Sequence, residues 1–339
     1  MRILLLGGSG LLGRPAREAF LAAGHDVTVV TRGVRSIVPA TRLRVLVADR
    51  TDVRALHDSL HNEHFDLTVD FLSYDATDLD RVFSVPAFSP GRFVMISTGQ
   101  VYLVSRDAKP PFHEIDAEVP PMDEPPAGSR AWHNWIYGTG KRRAEARLTR
   151  EHETSGLPTL ALRIPAVQGE DDGHTSARLW GWLERFRDGG PVLLPENGIQ
   201  PVRFVYAGDV AIALQRLAEG TSWPEARALN LAQPEEETLR TFVTRVAELA
   251  GATPQFVPVS AQAIADAGLD ETCAPYWGRW YSRPDPTLAL RTLGFRTRSP
   301  AEYLPAVVRA HLADPPRNSH DGYLHRAEEL KLARAWLTE

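Results

Sequence analysis

The first half of the chain alternates between short apolar runs and stretches whose apolar residues recur at helical spacing. Apolar runs bounded by polar residues are typical of buried strands, and their alternation with amphipathic helices predicts an α/β, doubly wound parallel sheet. The predicted strands are Arg2–Leu6, Asp26–Thr31, Leu43–Ala48, Leu67–Phe71, Arg92–Ser97 and Thr159–Arg163, and the predicted helices lie near Leu11–Ala23, Val53–His61, Ala76–Val85 and Gly140–Thr154.

Two stretches break this alternation. Residues 103–135 carry three Pro-Pro pairs, and we predict a long loop over the site. From about residue 169 the chain gains aromatic residues and mostly helical spacing. Helices are predicted near Ser176–Arg187, Leu239–Ala250, Pro286–Leu293 and Pro300–Ala313, with strands near Val202–Tyr206 and Ala228–Leu231.

The first predicted strand runs directly into three glycines at three-residue spacing, Gly7, Gly10 and Gly13. A strand that turns through such glycines into a helix binds a dinucleotide pyrophosphate, because the helix N-terminus offers unpaired N–H groups and a partial positive charge. A tight turn without a ligand is the alternative reading. The residues expected to hold the pyrophosphate are Gly7, Ser9, Gly10, Leu11, Leu12 and Gly13.

Composition narrows the partners of the protein. The chain has 339 residues, 43% of them hydrophobic, and a net charge of −5 at pH 7, which argues against a nucleic acid or an anionic membrane as partner. No apolar run is long enough to span a bilayer, and the first one feeds the glycine loop rather than a secretory signal. With a single cysteine, Cys273, and no third ligand beside His61 and His64, no metal site is expected. We therefore expect a cytoplasmic protein that acts on a small molecule.

Tyr137 and Lys141 stand four residues apart, a spacing that puts both side chains on one face of a helix. A tyrosine hydroxyl has a pKa of about 10, and a nearby ammonium draws it down toward neutrality. Such a tyrosine can exchange a proton with an alcohol or ketone while hydride moves to or from a nicotinamide. Only three of the 38 basic residues are lysine, so a plain surface position here would carry arginine.

A hydroxyl group ends the strand predicted over Arg92–Ser97. Ser97, Thr98 and Gly99 follow the apolar run, and either hydroxyl could bind a substrate oxygen. Taken alone, Ser-Thr-Gly is ordinary turn chemistry.

The glycine start, the strand that ends in Ser97-Thr98 and the Tyr137–Lys141 pair resemble the extended short-chain dehydrogenase/reductases over roughly residues 1–210. This group comprises NAD(P)-dependent epimerases, dehydratases and reductases. The resemblance implies a Rossmann domain over residues 1–168 and about 200–232. A smaller, mainly helical substrate-binding domain would cover about 169–199 and 233–339, and a homodimer is a further implication.

The resemblance also implies roles for individual residues. Thr98 would be the catalytic hydroxyl with Ser97 behind it, Tyr137 the acid/base, and Lys141 its partner, which also holds the nicotinamide ribose. Asp49 would accept from the adenine amino group and Arg50 would flank the ring. The segment Phe71, Leu72 and Ser73 would run under the cofactor, and Ile164, Pro165 and Ala166 would lie beside the nicotinamide.

The end of the second strand bears on the choice of cofactor. NAD binding usually places a carboxylate there to accept from the ribose 2′-hydroxyl. This chain has Thr31 and then Arg32, and a guanidinium suits the 2′-phosphate of NADP. We predict that the cofactor is NADP, with NAD as the alternative. Arg32 could also be a solvated arginine with no role in cofactor binding.

Two departures from the family pattern argue against a nucleotide sugar as the substrate. Nucleotide-sugar members usually have asparagine where this chain has Ala166, and arginine where it has Val202. Arg203 is adjacent, but a shift of one residue on a strand turns the side chain to the other face. Tryptophans near the site could instead floor an apolar pocket, or be plain core. The expected substrate contacts are Thr98, Gln100, Trp132, His133 and Arg203.

We therefore predict an NADP-dependent oxidoreductase that interconverts a ketone and a secondary alcohol on a small cyclic molecule. One alternative is a sugar or nucleotide-sugar epimerase or dehydratase that retains its cofactor, in which Glu114 or Asp116 could act as a second acid/base. The other is a non-catalytic nucleotide-binding scaffold.

Overall fold

A computed structural model describes residues 1–172, 177–294 and 296–338. The chain divides into two compact units. Unit 1 comprises Met1–Pro165, Ala207–Ala232 and Ser282–Thr297, and unit 2 comprises Ala166–Tyr206, Gln233–Tyr281 and Arg298–Glu339. Compared with the predicted domain boundaries, residues 166–168 and 200–206 group with unit 2, whereas 282–297 group with unit 1.

The strands alternate with helices throughout the first half of the chain. In the described residues the strands are β1 (Arg2–Leu6), β2 (Asp26–Thr31), β3 (Leu43–Val47), β4 (Leu67–Asp70), β5 (Arg92–Thr98), β6 (Thr159–Ile164), β7 (Ala166–Gln168), β8 (Val192–Pro195), β9 (Pro201–Val202), β10 (Phe204–Tyr206), β11 (Ala228–Asn230), β12 (Glu237–Thr238) and β13 (Phe256–Val259). The α-helices are α1 (Gly13–Ala22), α2 (Val53–Leu60), α3 (Ala76–Phe83), α4 (Gln100–Leu103), α5 (Arg130–Ser155), α6 (Arg178–Arg187), α7 (Ala207–Glu219), α8 (Leu239–Leu249), α9 (Ala261–Asp266), α10 (Thr287–Leu293), α11 (Pro300–Ala313) and α12 (Arg326–Leu337).

Unit 1 is built on a parallel sheet whose order, over the described residues, is β11-β6-β5-β4-β1-β2-β3. Every neighbouring pair is parallel. Because β1 lies between β2 and β4, the direction in which strands are added reverses at β1. Ligands of open parallel sheets bind at such a reversal, beyond the carboxyl ends of the strands. The glycine loop begins there.

The central strands of this sheet are buried on both faces, which explains their continuous apolar runs. In β1, Ile3, Leu4 and Leu5 have no solvent exposure, and in β5 the same holds for Phe93, Val94 and Met95. The edge strand β3 differs, since Val45 and Val47 on it are exposed. The predicted fold class, a Rossmann-type parallel sheet with helices, is confirmed.

Unit 2 combines helices with three small two-stranded sheets in the described residues, β7 with β10, β9 with β12 and β8 with β13. Its core contains Trp182, Phe204, Phe242 and Tyr276. The last helix, α12, is anchored to α6 by a wholly buried ion pair between Glu329 and Arg185. The helix predicted from Ser176 begins at Arg178, and Ser176 itself lies outside the described residues.

Helix α5 begins at Arg130, well before the predicted start near Gly140. The Ser129 hydroxyl caps it by accepting a hydrogen bond from the Trp132 N–H at 3.1 Å, and the chain leaves it through Gly156 in the left-handed conformation (φ 74°). The end of the predicted loop, including Trp132 and His133, is therefore helical.

Candidate active site

The turn between β1 and α1 has the geometry that its glycines predict. Gly7 has φ +97°, a conformation that side chains rarely adopt. A Cβ on Gly13 would lie 2.4 Å from the Gly7 carbonyl oxygen, so only glycine lets α1 pack this closely on the turn. A Cβ on Gly10 would instead find its nearest neighbour, Arg35 Nη1, at 3.8 Å. The half-buried residues Ser9, Leu11 and Leu12 complete the loop.

The ends of β2 and β3 bring an arginine and a carboxylate to the same edge of the sheet. Thr31 is buried at the end of β2, whereas Arg32 is exposed directly after it. Asp49, also exposed, accepts hydrogen bonds from the Thr51 N–H at 2.8 Å and its hydroxyl at 2.7 Å. These bonds lower the pKa of Asp49, and the charge of Arg32 acts in the same direction. Asp49 is thus an exposed, ionised acceptor.

Arg50, which by the resemblance would flank the adenine ring, pairs with a carboxylate at the end of β4. It is buried and makes a bidentate ion pair with Asp70, the last residue of β4, at 2.7 and 3.1 Å. Burial alone would raise the pKa of Asp70, but the charge and hydrogen bonds of Arg50, aided by Ser73, outweigh burial and lower it. Arg50 is committed to this pair because an unpaired charge at the buried strand end would be costly.

The segment that follows Asp70 lies against the glycine loop. The Leu72 side chain packs on Gly7, because a Cβ added to Gly7 would lie 2.7 Å from Leu72 Cγ. The Phe71 N–H donates to the Leu6 carbonyl at 3.1 Å. Ser73, which is fully buried, donates its hydroxyl proton to Asp70 at 2.6 Å. Phe71, Leu72 and Ser73 therefore lie beside the loop expected to hold the pyrophosphate.

Helix α5 carries Tyr137 and Lys141, and two glycines allow its backbone to pack closely on neighbouring segments. A Cβ on Gly138 would lie 2.7 Å from the Gln100 carbonyl oxygen, and one on Gly140 would lie 2.6 Å from the Tyr74 carbonyl oxygen. The backbone of α5 can therefore pack directly on the segments that follow β4 and β5. This packing sets the position of the Tyr137–Lys141 turn.

Lys141 is buried, with 2% of its surface exposed, whereas Tyr137 is 37% exposed. Lys141 Nζ donates to the carbonyl of Ile96, on β5, at 2.7 Å. Burial lowers the pKa of Lys141 to about 8, against the raising effect of Asp70 and Glu145. A lysine with such a pKa, beside a partly exposed tyrosine, has the electrostatic character of an acid/base site.

Thr98 ends β5 two residues after the carbonyl that holds Lys141. Its hydroxyl oxygen accepts from the Gln100 N–H at 3.2 Å, and Gln100 Nε2 donates to Asn134 Oδ1 of α5 at 2.9 Å. Gly99 is tightly enclosed, because a Cβ there would overlap Ser282 Oγ at 1.9 Å. The end of β5 is thereby fixed against α5.

Ser97 belongs to a buried polar network that sequence reasoning did not foresee. Its hydroxyl donates to Glu145 of α5, which also pairs with Arg163 of β6 at 2.6 Å. Arg163 Nη1 in turn donates to the Tyr102 hydroxyl at 3.0 Å. Glu145 lies four residues beyond Lys141, so helical spacing was the available signal. The network ties α5 to the sheet one helical turn beyond Lys141.

The other predicted site residues occupy different surroundings. Ile164 pairs with Thr98 across β6 and β5, Pro165 ends that stretch of unit 1, and Ala166 begins β7 of unit 2. Trp132 donates its indole N–H to Glu124 at 2.8 Å, and the exposed His133 contacts the Ser129 carbonyl at 2.9 Å. Arg203, in unit 2, donates to the Pro234 carbonyl at 3.4 Å.

The two candidates for a second acid/base, Glu114 and Asp116, serve as backbone acceptors. Glu114 accepts from the Asn230 N–H at 2.9 Å, and Asp116 accepts from the His113 N–H at 2.7 Å. Residues 1–172, 177–294 and 296–338 contain no group of three or more His, Cys, Asp and Glu side chains that could hold a metal ion. Over the same ranges, no helix is both long and apolar enough to cross a membrane.

The sheet order, the glycine loop and the Tyr–Lys helix together define a nicotinamide dinucleotide enzyme of the extended short-chain dehydrogenase/reductase fold. Residues 3–232 match the profile of the NAD dependent epimerase/dehydratase family. The chain belongs to this family.

Two curated relatives share about a quarter of their residues with this chain over the matched region. The chain is 26% identical over 219 residues to a 2′-dehydrokanamycin reductase of Streptomyces kanamyceticus, a match that covers 64% of this chain and 58% of the relative. It is 23% identical over 226 residues to the chloroplast stem-loop binding protein of 41 kDa b of Arabidopsis thaliana, covering 62% of this chain and 53% of the relative. The matches thus span little more than half the length of these relatives.

Solved structures share the fold over nearly the whole chain. The UDP-glucose 4-epimerase of Thermotoga maritima superimposes with a TM-score of 0.70 at 20% identity, covering 92% of this chain and 99% of that one. The dTDP-glucose 4,6-dehydratase of Bacillus anthracis, solved with NAD, gives 0.66 at 17% identity, covering 93% and 97%. At this identity the likeness concerns the fold.

Proposed function

We propose that the chain is an NADP-dependent reductase that interconverts a ketone and a secondary alcohol on a small cyclic molecule. The observation that carries the proposal is the end of β2, where Arg32 stands exposed and no carboxylate follows Thr31. A reductase needs a reductant that exchanges with solution after each turnover, and NADPH is one that cells supply.

A second arginine supports the choice of NADP. Arg35 Nη1 lies 3.8 Å from the position that a Cβ on Gly10 would take, so a guanidinium reaches the mouth of the glycine loop. Arg32 and Arg35 could together bind a 2′-phosphate, whose geometry suits the guanidinium fork. Asp49, exposed near Arg32, could accept from the adenine amino group.

The residues of α5 and β5 fit the proton side of such a reaction. When bound, the nicotinamide supplies or accepts the hydride. Tyr137 would give its hydroxyl proton to the ketone oxygen, Thr98 would orient that oxygen, and Lys141 would hold the nicotinamide ribose and favour the phenolate of Tyr137. Because Lys141 is fixed by the Ile96 carbonyl, this constellation needs little rearrangement.

Two observations favour reduction over dehydration. Glu114 and Asp116, the candidates for a second acid/base, already accept backbone N–H groups. One curated relative is by name a 2′-dehydrokanamycin reductase. Ala166 and Val202 stand where nucleotide-sugar members usually have asparagine and arginine, so a substrate without a diphosphate is favoured.

A homodimer stays a prediction.

The proposal is tested by incubating the purified protein with NADPH or NADH and a panel of cyclic ketones that includes 2′-dehydrokanamycin. We expect oxidation of NADPH in preference to NADH, and a loss of about a hundredfold or more in kcat for Tyr137→Phe. Cofactor binding should be retained in that variant. No oxidation by the wild type with any ketone would contradict the proposal.

The same experiment separates the alternatives. A nicotinamide cofactor that copurifies with the protein and is not consumed would favour the epimerase or dehydratase. Cofactor binding without any reaction, unchanged by Tyr137→Phe, would favour a non-catalytic nucleotide-binding scaffold.

A further inference from the structure

Tyr74 lies where the segment after β4 meets the catalytic helix. Its ring centroid is 4.9 Å from Lys141 Nζ and 6.2 Å from the ring centroid of Tyr137. Its carbonyl oxygen is the atom that Gly140 accommodates. Sequence reasoning assigned no role to Tyr74, although it directly follows Phe71, Leu72 and Ser73.

Two independent anchors fix the backbone on either side of Tyr74. The Tyr74 N–H donates to Asp78 Oδ2 at 2.8 Å. The next residue, Asp75, caps α3 and forms an ion pair with Arg143 of α5. The ring is therefore carried by a segment that is attached both to α3 and to the helix that bears Lys141, although 52% of the tyrosine surface is exposed.

We propose that Tyr74 is a positioning residue, whose aromatic face holds the Lys141 ammonium in place and in its charged form. This inference rests on the proposed function for its catalytic meaning, but the contact itself can be tested without it. An aromatic face attracts a cation through its quadrupole, and the attraction is stronger when the cation is removed from water. Lys141, with 2% exposure, meets that condition.

The contact also limits how the ammonium can turn. Of its three N–H donors, one is given to the Ile96 carbonyl at 2.7 Å, and one side faces the Tyr74 ring. The carbonyl and the ring together fix the direction of the remaining donor. A donor held in one direction loses less entropy on binding a ribose hydroxyl than a freely rotating one.

The groups around Lys141 have opposing effects on its ammonium, so an additional contact that stabilises the cation matters. Asp70 of β4, Glu145 of α5 and Asp78 of α3 favour the ammonium, whereas Arg50 and burial oppose it. The two nearest carboxylates are shared, because Asp70 is paired with Arg50 and Glu145 with Arg163. The Tyr74 ring adds an attraction that does not depend on either carboxylate.

The scarcity of lysine permits a direct measurement. The chain has only Lys109, Lys141 and Lys331, so a protein made with ¹³Cε-labelled lysine should give three resolvable NMR signals. Lys141→Arg identifies the signal of interest. We expect that signal to be displaced upfield by the ring current of Tyr74, and to titrate below the ordinary pKa of a lysine.

The variants separate the ring from the hydroxyl. Tyr74→Phe keeps the aromatic face and should retain both the displacement and the pKa of Lys141. Tyr74→Leu removes it, and should abolish the displacement and lower the pKa of Lys141 by about one unit. An unchanged Lys141 signal in Tyr74→Leu, or an equal change in Tyr74→Phe, would overturn the proposal. Because residue 74 is half exposed, both variants should fold, which circular dichroism checks.

A kinetic measurement extends the test once a ketone substrate is known. Loss of the first proton from the coupled Tyr137–Lys141 pair should end activity on the alkaline side. In Tyr74→Leu that limb of the kcat profile should move about one pH unit toward acid, and KM for the ketone should change little. A lowered kcat with an unmoved alkaline limb would contradict the positioning role. If the wild type reduces no ketone while the NMR result holds, the proposed function alone is refuted.

Discussion

At the scale of single residues, the site depends on charges that are buried and fully paired. Arg50 and Asp70 have side-chain exposures of 9% and 0%, and Ser73 and the Leu72 N–H satisfy the remaining lone pairs of the carboxylate. Such a pair gives little net stability relative to apolar residues, but removing one partner leaves an uncompensated charge. The pair supports the segment on which Tyr74 is carried.

We therefore expect Asp70→Asn to lower the free energy of unfolding by about 3 to 5 kcal/mol at pH 7, measured by urea denaturation. Because the pKa of Asp70 is lowered in the folded protein, its contribution is present above the ordinary value of 3.8 and is lost as the pH falls below it. The difference between wild type and variant should shrink accordingly in acid. The control is Asp123→Asn, which removes an exposed pair with Arg106 and should change stability little.

The sequence predicts site residues that are close together in the chain, but it does not predict those that only tertiary packing brings together. Tyr137 and Lys141 are four residues apart in sequence, so their juxtaposition on α5 needed no tertiary information. Arg50 and Asp70 meet across two strand ends, which no local pattern reports. The family resemblance placed Arg50 beside the adenine ring, but it gave no sign that Asp70 is the buried partner of its guanidinium.

At the scale of elements, close backbone approach decides where the functional segments lie. Gly13 lets α1 pack on the turn after β1, and Gly138 and Gly140 let α5 pack between the segments that follow β4 and β5. The strands β1 and β2 have the predicted bounds because apolar runs bounded by polar residues specify buried strands. The start of α5 was placed too late because its glycines and the prolines before it resemble a loop.

Two glycine variants separate packing from ligand binding. In Gly13→Ala the new Cβ meets only backbone, with the Gly7 oxygen at 2.4 Å and Gly8 Cα at 2.7 Å, so relief requires a shift of the helix. We expect a loss of about 2 kcal/mol or more in the free energy of unfolding and a loss of cofactor binding. Gly10→Ala should keep the wild-type stability and weaken NADPH binding alone, as measured by fluorescence titration. Equal stability of the two variants would contradict this account of the turn.

At the scale of the whole molecule, binding of the dinucleotide should stabilise the folded chain. A ligand present at about 100 times its Kd adds about 2.7 kcal/mol to the free energy of unfolding. If Arg32 and Arg35 bind a 2′-phosphate, NADPH should raise Tm further than NADH at the same concentration. Arg32→Ser should remove most of that difference, because it removes charge and leaves the glycine loop intact. An equal shift of Tm by both cofactors in the wild type would contradict the NADP assignment.

The division into two units was only partly visible in the sequence. The change in aromatic content near residue 169 signals the second unit, but residues 282–297, which include α10, return to unit 1. Helix α7 went unpredicted because its sequence, rich in alanine, follows directly on β10 and resembles a continued apolar run. Both features depend on contacts between residues that are distant in the chain.

The most direct test of the account is a crystal structure of the protein grown with NADP⁺. We predict a pyrophosphate over the loop from Gly7 to Gly13, a 2′-phosphate beside Arg32, and a nicotinamide ribose hydroxyl within hydrogen-bond distance of Lys141 Nζ. A nicotinamide bound away from the Tyr137–Lys141 turn, or crystals saturated with NADP⁺ whose glycine loop holds no dinucleotide, would contradict it.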